Sequence, residues 1–171
     1  MENYFTLYNL PVSFFPDPVA VKQKYYELSR QYHPDKFANA GSHEHALALR
    51  IAAMNNDAYK TLRNADATMA YVLRIAGVLE EEEKYQLPAA FLMEMMDLNE
   101  AISDYEADRN NTQAKETAAA TLAELMADWE SAANALKRQY DDDNTAPTLL
   151  AQLKDMYMRK KYLLRIAERL Q

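Results

Sequence analysis

Cysteine is missing altogether from these 171 residues. Disulfides, thiol nucleophiles and sulfur-ligated metals are excluded with it, and the absence suits a reducing compartment. Glycine occurs only twice and proline six times, so the backbone has few natural interruptions and nothing from which to build a glycine-rich phosphate loop. No run of about 18 apolar residues exists, and the MENYFTLYNLP start has no basic stretch leading into an apolar one. Neither a membrane span nor a secretory signal is therefore expected, and a cytoplasmic location follows by default. What remains is rich in Ala, Leu, Glu, Lys and Met. These are helix formers, and an apolar content of 49% is enough for a core, so an all-α fold is predicted.

Charge is divided unevenly. Residues 1–77 carry eight Lys/Arg against seven Asp/Glu, a net of +1, whereas residues 78–171 carry eleven against nineteen, a net of −8. The acidic half is a poor nucleic-acid binder, because phosphate neutralisation needs a basic footprint. The division also coincides with a change in organisation. Asp17 is a natural N-cap with Pro18 at the first helical position, and a helix is predicted to about Tyr32 with Val21, Tyr25, Leu28 and Tyr32 on one stripe and Lys22, Tyr26 and Arg30 opposite. After a loop of roughly ten residues closing at Ser42 as cap, Leu47, Ile51, Met54, Ala58 and Leu62 mark a second long helix. The two should pair antiparallel, and a short helix over 65–76 should end at Gly77. The Glu80–Glu83 run with Pro88 reads as a solvated acidic linker over 78–88. Three more helices, about 88–107, 111–140 and 146–170, predict a three-helix bundle over 89–171.

Two stretches carry possible function. In the first, QYHPDKF, a helix stops on His33, Pro34 and Asp35, since proline lacks the N–H of a continuing helix and pushes its predecessor toward extended geometry. A His–Asp pair could serve as general base and orienting carboxylate, but no nucleophile or paired carboxylates accompany it. A metal site is equally unsupported, because His33, His43 and His45 are the only histidines and no two stand four apart. No catalytic residue, metal or cofactor is expected. His43 and His45 read as solvated residues of a helix start. An isolated tripeptide of this kind is normally a turn.

The second stretch is AAFLMEMMDLNEAISDYE. Phe91, Met95, Leu98, Ile102 and Tyr105 form its natural buried stripe. Leu92, Met93 and Met96 project elsewhere, flanked by Asp97, Glu100 and Asp104, so they form either a partner-binding patch or additional core under a further helix. On the last helix, Leu149, Leu153, Met156, Leu163, Ala167 and Leu170 read as the core face, with Met158 and Tyr162 pointing away to extend the patch.

The tripeptide is not isolated. The basic-faced helix before it, YYELSRQYHPDKF itself and NDAYKTLRNADATMAYVLRIAG after it together resemble a J-domain, over roughly residues 4–77. The YFTL start, HPDKF with its short following loop and AAFLMEMMDLNEAISDYE narrow the resemblance to the HscB-type J-proteins of iron–sulfur cluster assembly. That resemblance implies a co-chaperone, not an enzyme, with a DnaK/HscA-class ATPase chaperone as one partner and an IscU-like scaffold protein as the other. It implies that His33, Pro34 and Asp35 are the essential loop and that Lys22, Tyr26 and Arg30 are the chaperone-docking face. Leu92, Met93, Met96, Asp97, Glu100 and Asp104 are then the client face, with Met158 or Tyr162 beside them. Where the family usually has a Pro after the second long helix and an Arg before the next Tyr, this chain has Ala65 and Thr68. Three other readings of the chain stand beside this one: a J-domain adaptor for another client, a helical interaction module without chaperone activity, and a hydrolase using His33 and Asp35.

Overall fold

The computed structural model describes residues 2–171 and is helical throughout, with eight α-helices and one 3-10 turn among them. The chain divides into two compact units, one ending at Gly77 and the other running Val78–Gln171.

The first unit contains α1 (Tyr4–Tyr8), α2 (Pro18–Gln31), a 3-10 turn (Pro34–Phe37), α3 (Ser42–Leu62) and α4 (Ala65–Ile75). Asp17 caps α2, its carboxylate accepting from the Val19 N–H at 3.0 Å. Helix α3 starts one residue earlier than the sequence suggests: Gly41 is the N-cap and Ser42 already lies within the helix, without a side-chain cap. Its buried face is Ala48, Asn55, Ala58 and Leu62, while Leu47 is exposed and Ile51 and Met54 are half-buried. The expected stripe thus shifts at its start, where Ala48 rather than Leu47 is buried, and gains Asn55. Its Nδ2 donates to the Tyr25 carbonyl (3.0 Å) and to Ser29 Oγ (3.1 Å), and its Oδ1 accepts from the Tyr8 hydroxyl (2.8 Å). A fully satisfied amide can occupy a core position that a polarity pattern assigns to the surface. Burial among Tyr25 and Tyr59 raises the Tyr8 hydroxyl's pKa, so it remains a proton donor.

Asn64 caps α4, accepting from the Ala67 N–H at 2.9 Å, so Ala65 occupies the first-turn position where proline is also tolerated. Thr68 is buried and donates to the Thr61 carbonyl at 3.0 Å, tying α4 to the end of α3. Gly77 follows with φ of +76°, a left-handed conformation that stops the helix cleanly.

The second unit is a bundle of three helical legs. The first leg is broken: α5 (Ala89–Glu94) ends and α6 (Met96–Ala107) begins around Met95, where the sequence predicts one continuous helix. The others are α7 (Thr112–Asp142) and α8 (Pro147–Arg169), with α7 packed against both α6 and α8. Trp129 is buried on α7 and donates its indole N–H to the Met156 carbonyl of α8 at 2.7 Å. The acidic stretch expected to be a solvated linker lies against the bundle. Leu79 is buried, Glu83 is ion-paired to Lys154, and the Tyr85 hydroxyl donates to Asp155 Oδ1 at 2.8 Å. Four like charges in a row suggest a tether. Cations on α8 and the apolar residues flanking the run supply the adhesion that such a pattern leaves out.

Candidate functional site

In the first unit, Lys22, Tyr26, Arg30, His33, Pro34 and Asp35 are all exposed. Spacing of four residues puts Lys22, Tyr26 and Arg30 on one face of α2. Among the described residues neither Lys22 nor Arg30 is engaged by a carboxylate, whereas nearby Lys24 is bound to Glu27 at 3.1 Å. The Tyr26 ring is fixed edge-on against Tyr25, with centroids 5.3 Å apart.

The corner itself is braced. His33 is in extended geometry and caps the 3-10 turn, its Nδ1 accepting from the Asp35 N–H at 3.3 Å. With Nδ1 as acceptor the neutral ring carries its proton on Nε2, which leaves that N–H free to donate outward. The Asp35 carboxylate, 3.6 Å from the ring, is too far for a hydrogen bond and remains solvent-facing. Behind the turn, Phe37 stacks on Tyr32 with ring planes 8° apart. His45, expected to be solvated, is half-buried, and its Nδ1 lies 3.2 Å from the Phe37 carbonyl, a pure acceptor to which the ring must donate. Sequence reading missed this latch. The available signal was a ring N–H in the first turn of a helix facing a loop whose carbonyls lack helical partners.

In the second unit Leu92, Met93 and Met96 are 43%, 68% and 63% exposed, so among the described residues no further helix covers them. Phe91, just before them, and Met95, among them, are both buried. The interruption at Met95 therefore places the exposed trio on an elbow whose inner side is core. Asp97, Glu100 and Asp104 are exposed along α6.

Met158 and Tyr162 do not extend this surface. Met158 is buried, lining a cavity with residues 83–87 that the linker reading left in solvent. Tyr162 is half-buried behind the elbow, its ring edge-on to Phe91 (5.6 Å) and its hydroxyl accepting from Asn99 Nδ2 (2.8 Å). The same amide group donates to the Met95 carbonyl (2.9 Å), and Arg169 bridges Asn99 Oδ1 (3.3 Å) and the Glu106 carboxylate (2.7 Å). The guanidinium holds Glu106 below the usual carboxylate range. Tyr162 thus supports the elbow from beneath. Among the described residues no three His, Asp or Glu side chains converge as a metal site, and no helix is long and apolar enough to cross a membrane.

A family model described as the HSCB C-terminal oligomerisation domain matches residues 87–171. The co-chaperone protein HscB homolog of Psychromonas ingrahamii is 33% identical over 169 residues, covering 98% of each chain. The homolog of Shewanella amazonensis is 40% identical over 103 residues, 60% of this chain and 59% of that one. Among solved structures, human co-chaperone protein HscB superposes with a TM-score of 0.75 at 23% identity, over 99% of this chain and 81% of that one, a likeness of fold. The chaperone HscB from Vibrio cholerae gives a TM-score of 0.63 at 25% identity, over 99% of this chain and all of that one. A J-domain followed by a C-terminal helical bundle, with similarity running along nearly the full length, means that the chain belongs to the HscB family of co-chaperones.

Proposed function

We propose that this protein stimulates the ATPase of a DnaK/HscA-class chaperone through its first unit and delivers an IscU-like iron–sulfur scaffold to that chaperone through its second. The observation that carries the reading is the His33–Pro34–Asp35 corner, solvent-facing yet braced by the His33 cap and the His45 latch, beside two unpaired cations on α2. A corner held in one geometry can present an outward N–H and a carboxylate to a partner without an ordering cost at each encounter. Lys22 and Arg30 steer an acidic surface toward it. The protein contributes contact rather than chemistry of its own, and cytoplasmic action fits this role.

On the client side, Leu92, Met93 and Met96 supply an adaptable apolar centre, with Asp97, Glu100 and Asp104 as a charged rim. The buried Met158 and the half-buried Tyr162 are left as support rather than contact. The test uses two variants. His33→Gln should abolish stimulation of the partner ATPase while the melting temperature stays within a degree or two. The triple Leu92→Ala, Met93→Ala, Met96→Ala variant should keep stimulation without client and lose scaffold binding by calorimetric titration. Full stimulation by the first variant, or wild-type scaffold affinity in the second, would refute the corresponding half.

A further inference from the structure

The second unit also carries a cavity that neither the corner nor the elbow uses. It has a volume of about 570 Å³ and is walled by residues 83–87 on one side and by Met158, Lys161 and Arg165 of α8 on the other. Leu87 and buried Met158 supply apolar surface, while Lys84, Lys161 and Arg165 are exposed cations. Among the described residues none of the three is paired with a carboxylate; the Lys161 ammonium lies 5.9 Å from the centroid of the Tyr157 ring.

The cavity's one carboxylate, Glu83, is already taken by Lys154, whose hydrogen bond holds it below the usual carboxylate range. The Tyr85 hydroxyl is likewise committed to Asp155. The lining is therefore locally cationic in a stretch, residues 78–171, whose net charge is −8. Like charges gathered around one concavity repel, and an anion placed among them relieves that repulsion. The volume falls within the range of roughly 300 to 1,000 Å³ typical of small-ligand sites. Exposed Glu80, Glu81 and Glu82, just outside the lining, would repel an acidic protein segment running beyond it.

We propose that this cavity binds a small organic phosphate, its phosphate held by Lys84, Lys161 and Arg165 and its apolar or aromatic body laid on Leu87 and Met158. Arginine's planar fork matches phosphate oxygens, and the lysines add point charges. This proposal is independent of the chaperone and scaffold roles. It is tested by calorimetric titration of AMP, ribose 5-phosphate and inorganic phosphate into the intact protein at low salt. AMP should bind, with inorganic phosphate weaker by about tenfold or more because it lacks the body. Arg165→Ala should weaken AMP by about tenfold, as expected for loss of a charge-assisted hydrogen bond. A triple Lys84→Ala, Lys161→Ala, Arg165→Ala variant, shown folded by circular dichroism, should not bind it, and Lys115→Ala on α7 should bind normally. Absence of AMP binding at millimolar concentration, unchanged binding by the triple variant, or equal affinity for inorganic phosphate overturns the proposal.

Discussion

The two units present recognition surfaces built on opposite principles. The first offers a polar corner held by hydrogen bonds, His33 to Asp35 and His45 to Phe37, on a unit whose core is itself tied by Asn55 to Tyr25, Ser29 and Tyr8. The second offers an apolar elbow whose exposed side chains have no such constraint, although the backbone beneath is pinned by Asn99 and Tyr162. Hydrogen bonds are directional and lose their value with small errors of angle, whereas dispersion and burial are nearly isotropic. A directional surface must therefore be braced, and an apolar one need only be left uncovered.

Removing the braces sharpens this contrast most. Asn55→Ala leaves the Tyr8 hydroxyl without its side-chain acceptor and should cost roughly 2 to 3 kcal/mol in the first unit. Met95→Ala should cost about 2 to 5 kcal/mol in the second, whereas Met96→Ala, one residue on but exposed, should stay within about 0.5 kcal/mol. Calorimetric melting of the three variants reads all of these values. If Met96→Ala proved as damaging as Met95→Ala, the elbow would be core and the contrast would collapse.

Next in size is a functional effect without a folding one. His45→Ala frees the Phe37 carbonyl and loosens the turn, so ATPase stimulation should fall several-fold while helicity is retained. His43→Ala, at an exposed neighbour, should change neither. Reversal of Lys22 and Arg30 to Glu should slow chaperone association more at low salt than at high, because exposed charges act over a screening length of about 8 to 10 Å at ordinary ionic strength. A loss independent of salt would argue against steering.

The smallest effect is a pH dependence. Glu83, hydrogen-bonded by Lys154, and Glu106, hydrogen-bonded by Arg169, both titrate below the ordinary carboxylate value when folded. Their stabilisation is complete above the unfolded value of about 4.3 and disappears as the pH falls through the depressed ones. Acid melting of Arg169→Gln should therefore show less loss below pH 4.3 than wild type, though its stability at neutral pH is lower. An identical acid profile would mean that the pair contributes nothing.

Much of this was legible in the sequence, and the exceptions share a cause. Helix ends at Asp17 and Gly77 were readable because caps and breakers are local chemistry. The trio was half legible: periodicity set Leu92, Met93 and Met96 off the buried stripe, but whether a further helix covers them is decided only by packing. Helix α1, only five residues long, was not predicted; the Tyr4 ring stacks on Tyr71 at 4.3 Å, support supplied by another helix. Asn55 is buried on α3 for the same reason, its partners coming from α1 and α2. Helix α8 has more than one apolar face, and periodicity does not tell which is covered. Met158 was misplaced because its cover comes from a segment whose charge suggests solvent.

The elbow's composition has a further consequence in oxidation chemistry. A thioether becomes a sulfoxide only where an oxidant can reach it, and the product is polar. Met93 and Met96 are open to solvent while Met69, Met95 and Met158 are buried. Mild peroxide would therefore convert the apolar centre of this surface into a polar one before it harmed the core. A folded protein would lose its greasiest face first, and methionine sulfoxide reductases could restore it without any refolding.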